Sequence, residues 1–398
     1  MDTSQEINRK LLDIYPDLVE IRRKIHRYPE IAFNEKKTSG LVLDYLESLG
    51  IEAMSGIAKT GVVGLVKGSN QGRTVALRAD MDALPVTEEN ECGYKSCIAG
   101  MMHACGHDIH IACLLGAANI LGKMKDRLRG NVKLIFQPGE EGVGGASFMI
   151  KEGVLENPRV DACAALHVWP DIDVGKVGIH YGTIFASMDC FEIVVKGKGG
   201  HGAIPHDTVD PIVTGAQMVS ALQTLVSRRM DALSPVILSV CTFHAGTAEN
   251  IIPDAAIIKG TVRAVDNETK KKIPEIMESI ISGIAASAGA KYELIYKKGY
   301  PATINNEKVT DIMAESASKI IGTGNVNKTG RPLMVSEDFS YYADIVPGTY
   351  FRLGCANKEK DIIYPLHNSR FDVDESCIKT GAGILAQFAV DYLEKQEI

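Results

Sequence analysis

The run His103-Ala104-Cys105-Gly106-His107-Asp108-Ile109-His110 packs five groups able to bind a metal, or to orient its ligands, into eight residues. Gln137-Pro138-Gly139-Glu140-Glu141-Gly142 follows, and His167 and His367 stand alone further on. Cys105 and His107 flank Gly106, a residue that permits a tight turn, so their side chains are expected to converge at the start of a following helix. The positive end of that helix, together with an ion, favours a thiolate at Cys105. Thiolate and imidazole suit zinc, nickel, cobalt and related borderline ions better than magnesium or calcium. Adjacent Glu140 and Glu141 leave a strand pointing different ways, so one carboxylate can face a metal and the other an attacking water. Hydrolysis needs both, because an ion acidifies the water and a base takes its proton. Any one of these histidines reads as a helix-capping residue, and Glu-Glu-Gly alone as an acidic turn. The whole set points to a metal-dependent hydrolase.

Such chemistry requires distant segments to meet. Residues 6–28 read as a helix interrupted near Pro16, with Leu12, Ile14, Leu18, Ile21 and Ile25 forming its apolar stripe. A second helix is expected over residues 37–49, ending at Gly50. Residues 61–66, 74–78, 132–136 and 162–166 read as strands, and 145–152 as a helix. Asp108 is expected to cap a helix that turns Cys113, Ala117, Ile120, Leu121 and Met124 inward. Strands alternating with helices imply a mostly parallel sheet covered on both faces. Ligand sites in such sheets lie beyond the carboxyl ends of the strands. Asp80, Asp82, Glu140, Glu141 and His167 all sit at such ends, so topology predicts that they converge.

Near residue 186 the pattern changes. A strand at 190–197, a helix at 210–228, paired strands at 236–243 and 256–262, a helix at 270–288 and a strand at 292–296 make a β-α-β-β-α-β unit. Residues 348–353 and 377–395 resume the strand-and-helix alternation of residues 61–166. The expected fold is therefore an α/β catalytic domain over 1–185 and 299–398, its mostly parallel sheet sandwiched by helices. An α+β domain over 186–298 is inserted into it.

A length of 398 residues fits two domains better than one core. Apolar content of 45% with 23% charged residues is ordinary for a globular protein, and a net charge of −7 gives no basic footprint for nucleic acid. No segment approaches the ~20 apolar residues of a membrane helix, and residues 1–6 show no signal-peptide pattern. Nine cysteines without a Cys-x-x-Cys pair argue for reduced thiols and a cytoplasmic setting. Cys163, Cys241 and Cys355 lie in apolar runs and read as small core residues.

The sequence Met102-His103-Ala104-Cys105-Gly106-His107-Asp108, then Gly139-Glu140-Glu141-Gly142, Leu166-His167-Val168 and Pro365-Leu366-His367-Asn368, resembles the dinuclear metal-dependent amidohydrolases and metallopeptidases of the aminoacylase and carboxypeptidase G type. The likeness is to their hippurate hydrolase, auxin-conjugate hydrolase and N-acetyldiaminopimelate deacetylase branch, and it spans residues 20–385 in order. It implies two divalent ions (zinc, manganese, nickel or cobalt) bridged by Cys105, one held also by Glu141 and His367, the other by His107 and His167. Glu140 would be the general base and then the acid for the leaving amine. Asp80 and Asp108 would orient ligands. His201, in a glycine-rich turn that by itself reads as a solvated loop, matches a histidine of a lid and dimerisation domain. It would reach the active site of a neighbouring subunit and stabilise the oxyanion. Asn250 and Arg263 match positions linked to the substrate's carbonyl or carboxylate, for which a guanidinium fork is suited. Ser336-Glu337-Asp338-Phe339 resembles a segment near the metals and receives no role. Relatives commonly carry Gly where this chain has Ile109, a departure expected to narrow the site or shift the helix start.

The favoured activity is hydrolysis of N-acyl amino acids by a homodimer, without nucleic acid or membrane as a partner. A dipeptidase or carboxypeptidase acting on small peptides is the close rival. A cysteine hydrolase with Cys105 as nucleophile leaves the Glu140–Glu141 pair without a purpose. A metal-stabilised scaffold has no need of a second carboxylate beside the ligands.

Overall fold

The structure, a computed structural model, describes residues 2–328 and 330–395. It divides into two compact units, one of Met1–Ile184, Ile304–Arg331 and Asp338–Ile398, the other of Phe185–Thr303 and Pro332–Glu337.

The first unit is built on an eight-stranded sheet. Its order is Glu52–Ile57, Gly61–Lys67, Arg129–Gln137, Asn70–Asp80, Ala162–Asp173, Gly348–Ala356, Val177–Ile179 and Val326–Lys328. The four central strands run parallel, and antiparallel neighbours flank them on both sides. Asp80 pairs with Gln137, and His167 with Arg352, so the carboxyl ends of the central strands share one edge. The mostly parallel α/β sheet expected from the sequence is present.

His107–Gly122 is the central helix, buried on every side through Leu121, which is why its sequence carries no polar face. At Gly116 an added Cβ would come within 2.8 Å of Ala382 Cβ and 2.9 Å of Leu18 Cδ1. Glycine there lets the Thr3–Arg27 and Cys377–Glu394 helices press against the central one.

Three local expectations are corrected. The first helix runs unbroken over Thr3–Arg27 with Pro16 inside it. Pro16 lies on the solvent face, so the carbonyl its missing N–H leaves unpaired is open to water. Its buried stripe is Ile7, Leu11, Ile14, Leu18 and Ile25, whereas Leu12 is 63% exposed. Cys163 and Cys355 are buried as expected, but Cys241 is exposed, because a bulge between Val240 and Thr242 breaks the alternation of its edge strand.

Lys133 sits buried on the Arg129–Gln137 strand, and burial pulls its ammonium down to about 8. Its Nζ donates to the carbonyls of Val154 (2.9 Å), Glu156 (2.6 Å) and Pro158 (2.9 Å). Three acceptors stranded by Lys133→Met should lower stability by about 3 kcal/mol in urea unfolding. A loss below about 0.5 kcal/mol, the scale of a featureless surface change, would show that water replaces the clamp.

In the second unit the sheet order is Val236–Ala245, Ala255–Ala264, Asp189–Lys196 and Lys291–Lys298, all neighbours antiparallel. Phe191, Ile193 and Val195 alternate into a core shared with the helices Pro211–Thr224 and Asn267–Ala288. Asp210 caps the first of these helices, accepting from the amides of Ile212 and Val213. The β-α-β-β-α-β order is that of a two-layer α+β unit.

Candidate metal centre

Gly106 takes a left-handed turn (φ 84°) immediately before the central helix, and a Cβ there would lie 2.4 Å from Val168 Cγ2. That turn brings Cys105 and His107 together. His107 donates from Nδ1 to the carbonyl of Asp82 at 2.8 Å, leaving Nε2 buried without a hydrogen-bond partner. His167 donates from Nδ1 to the carbonyl of Val168 at 2.7 Å, leaving Nε2 3.3 Å from Cys105 Sγ. A carbonyl only accepts, so in both rings the proton is fixed on Nδ1 and the Nε2 lone pair points inward.

Ligand atoms of Cys105, His107 and His167 lie within 4.8 Å of one another, and so do those of Cys105, Glu141 and His367. Cys105 belongs to both sets. A third set joins His107, Glu140 and Glu141 within the same distance. His367 holds a left-handed backbone (φ 65°) that non-glycine residues seldom adopt, with its N–H on the carbonyl of Ala104 at 2.8 Å. Its Nε2 lies 3.2 Å from Glu141 Oε1.

The charges at this centre call for a cation. Burial, then the carboxylates of Glu141 and Glu140, raise the Cys105 thiol well above its ordinary range. The helix start alone does not offset this, so the thiolate expected from helix and ion together depends on the ion. Against burial, Asp80 and Asp82 push His107 up to about 10, yet a proton on its Nε2 would have no acceptor within hydrogen-bond distance, the Asp80 carboxylate lying 3.8 Å away. A divalent ion answers both demands, because it compensates the carboxylates and accepts the Nε2 and Sγ lone pairs. The donor set fits such ions.

The loop that carries Glu140 and Glu141 is tied down by three buried carboxylates. Asp82 accepts from the amides of Glu140 and Glu141, both at 3.0 Å. Glu35 accepts from Gly139 N at 3.0 Å and from Thr60 Oγ1 at 2.6 Å, and burial raises its pKa. Asp338 accepts from Ala146 N at 2.9 Å, Gln137 Nε2 at 2.8 Å and Arg78 Nη2 at 2.8 Å. Sequence reasoning placed Asp82 at the converging strand ends and named Asp338 without a role, but it missed Glu35 and the anchoring of the loop by all three. Asp82 alone both fixes the His107 tautomer and sets the glutamate backbone. Replacing it with Ala keeps the carbonyl under His107 but removes the acceptor of the Glu140 and Glu141 amides, and should weaken divalent-ion affinity by roughly 10- to 100-fold in a competition titration with a chelating dye. Unchanged affinity would remove the Asp82 carboxylate from the centre.

Other expectations resolve differently. Asp80 accepts from His110 Nδ1 at 2.5 Å and Arg78 Nη1 at 2.7 Å, and lies 3.8 Å from His107 Nε2. His110 also accepts from Val168 N at 3.0 Å, so both its nitrogens are engaged and it braces the strand. Asp108 does not cap the helix, whose N-cap is Gly106. It receives Arg22 Nε at 2.7 Å and pairs with His26 Nδ1 at 2.8 Å, fastening the first helix to the central one. Against burial, Arg22 and His26 hold its carboxyl well below the usual range. Ile109 is fully buried in the hydrophobic core, and the helix starts at His107.

In the second unit His201 and Asn250 are neighbours. His201 pairs with Ile251 in a short two-stranded ladder, and the Gly202 amide donates to the carbonyl of Asn250 at 2.9 Å. Arg263, half-buried on the Ala255–Ala264 strand, donates from Nη1 to Ser336 Oγ at 2.8 Å.

A family model described as Peptidase family M20/M25/M40 matches residues 76–391. The chain belongs to this family. It is 43% identical over 399 residues to thermostable carboxypeptidase 1 of Saccharolobus solfataricus, covering 99% of this chain and 100% of that one. An N-acyl-L-amino acid amidohydrolase of Geobacillus stearothermophilus is 44% identical over 307 residues, 77% of this chain and 82% of its own. Among solved structures, a dinuclear metal-binding M20-family peptidase of Bacillus subtilis superposes with a TM-score of 0.84 at 33% identity, covering 96% of this chain and 99% of that one. This M20 member is a hydrolase of amide bonds. Among its described residues, no helix is long and apolar enough to cross a membrane.

Proposed function

We propose that the protein removes the acyl group from N-acyl amino acids at a two-ion centre of Cys105, His107, Glu141, His167 and His367. The observation that carries this reading is the sharing of Cys105 between two ligand sets, with Glu140 in a third set beside them. His107 and His167 would hold one divalent ion and Glu141 and His367 the other, with Cys105 between them; zinc, manganese, nickel and cobalt all suit the donors. When bound, the ions polarise the amide carbonyl and acidify the attacking water. Glu140 takes the water's proton and returns it to the leaving amine. Asp82 keeps the Glu140 and Glu141 backbone in register with the His107 ring.

In this reading the second unit serves as lid and dimerisation domain of a homodimer, and His201 serves the neighbouring subunit's oxyanion. Asn250 and Arg263 engage the substrate's carbonyl and α-carboxylate. The nine free cysteines support a reducing, cytoplasmic setting.

The carboxypeptidase relatives support a second reading, in which the same centre cleaves small peptides. A screen of N-acetyl and N-benzoyl amino acids beside dipeptides, with each divalent ion returned to stripped protein, separates the two. Faster turnover of the acyl amino acids is expected. Preference for dipeptides would overturn the first reading, and turnover that survives a strong chelator would overturn both.

A further inference from the structure

Arg352 is the one arginine of the described sheet edge that the centre's chemistry leaves unused. Its residue is only 7% exposed, and its Nε has no hydrogen-bond partner. Among the described residues no carboxylate forms an ion pair with it; Asp171, the acid that most influences it, is exposed. The guanidinium instead lies 5.6 Å from the centre of the Trp169 ring. Arg352 pairs in register with His167 on the adjacent parallel strand, so the two side chains share one face of the sheet. Trp169, two residues on, stands on that face too, its ring 6.0 Å from the His167 ring.

A stack on an indole is weaker than the loss of hydration of a buried guanidinium. The group needs an anion, and its fork matches a carboxylate with two parallel hydrogen bonds. Among the described residues, no acid supplies one. We propose that Arg352 is a substrate-binding residue that recognises a second carboxylate, so that the preferred substrates are N-acyl amino acids bearing an extra acidic group. This rests on the amidohydrolase reading above, in which Arg263 takes the α-carboxylate. The second carboxylate belongs either to the amino acid's side chain or to the far end of the acyl group.

The test uses matched pairs on the metal-loaded full-length protein. N-acetyl-L-glutamate against N-acetyl-L-glutamine probes the side chain, and N-glutaryl-L-alanine against N-pentanoyl-L-alanine probes the acyl end. In one pair the acid should win by roughly 10- to 100-fold in kcat/KM, mostly through KM. Arg352→Met should abolish that preference, and Arg352→Lys, which keeps the charge and loses the fork, should retain part of it. Trp169 is the only tryptophan of the chain, so its emission reports the neighbourhood of Arg352 directly. In a Glu140→Gln background, titration with the preferred acid should shift that emission, and the neutral partner should not. Two neutral-equivalent pairs, or a preference that survives Arg352→Met, overturn the proposal even if hydrolysis is brisk. Acid-selective emission changes without turnover would instead uphold Arg352 and sink the amidohydrolase reading.

Discussion

A Glu140→Gln protein should bind two divalent ions per chain and lose roughly 10²- to 10⁴-fold in kcat, the usual worth of a positioned general base. The substitution is nearly isosteric. The two bonds that place this loop on Asp82 come from backbone amides, so they survive it. Elemental analysis beside steady-state kinetics separates the outcomes. Full ion content with a collapsed kcat supports proton transfer by Glu140. An unchanged kcat removes Glu140 from that role, and loss of an ion makes it a ligand.

Cys105→Ala should be more damaging. Cys105 alone belongs to both ligand sets, and without its sulfur each set falls to two protein ligands. Ion content should drop from two per chain to one or fewer, with activity reduced by roughly 10³-fold or more, since a bound metal supplies several kcal/mol of transition-state stabilisation. A variant that keeps two ions and wild-type kinetics would refute the bridge. Cys105→Ser, which keeps an oxygen donor, should recover part of the ion content, whereas a nucleophilic-cysteine mechanism predicts inactivity at full ion content.

The parts of this molecule legible in its sequence are those written by local pattern. Strand ends followed by Asp, Glu and His placed the centre at one sheet edge, and Gly106 between Cys105 and His107 announced the turn. The supports were not legible, because they are long-range. Glu35 and Asp338 reach Gly139 and Ala146 only through the folded core, and nothing in their immediate neighbours marks them as amide acceptors. Asp82 carried a usable signal: two residues after Asp80 on an extended segment, it faces the same side, and two buried carboxylates on one face call for partners. Pro16 misled because its solvent-facing position decides whether a helix tolerates it, and periodicity misassigned by one residue hid that face.

The Asp338 strut and the Gly348–Ala356 strand have a consequence for biogenesis. Both emerge from the ribosome only after the whole second unit has been made, yet one braces the glutamate loop and the other fills the middle of the main sheet, directly beside the strand that bears His167. A nascent chain holding every histidine and carboxylate up to residue 300 still has an open gap in its sheet and an unmoored loop. Ion capture is thus coupled to synthesis of the chain beyond residue 338, and a product terminated before that point should scavenge no metal however long it persists.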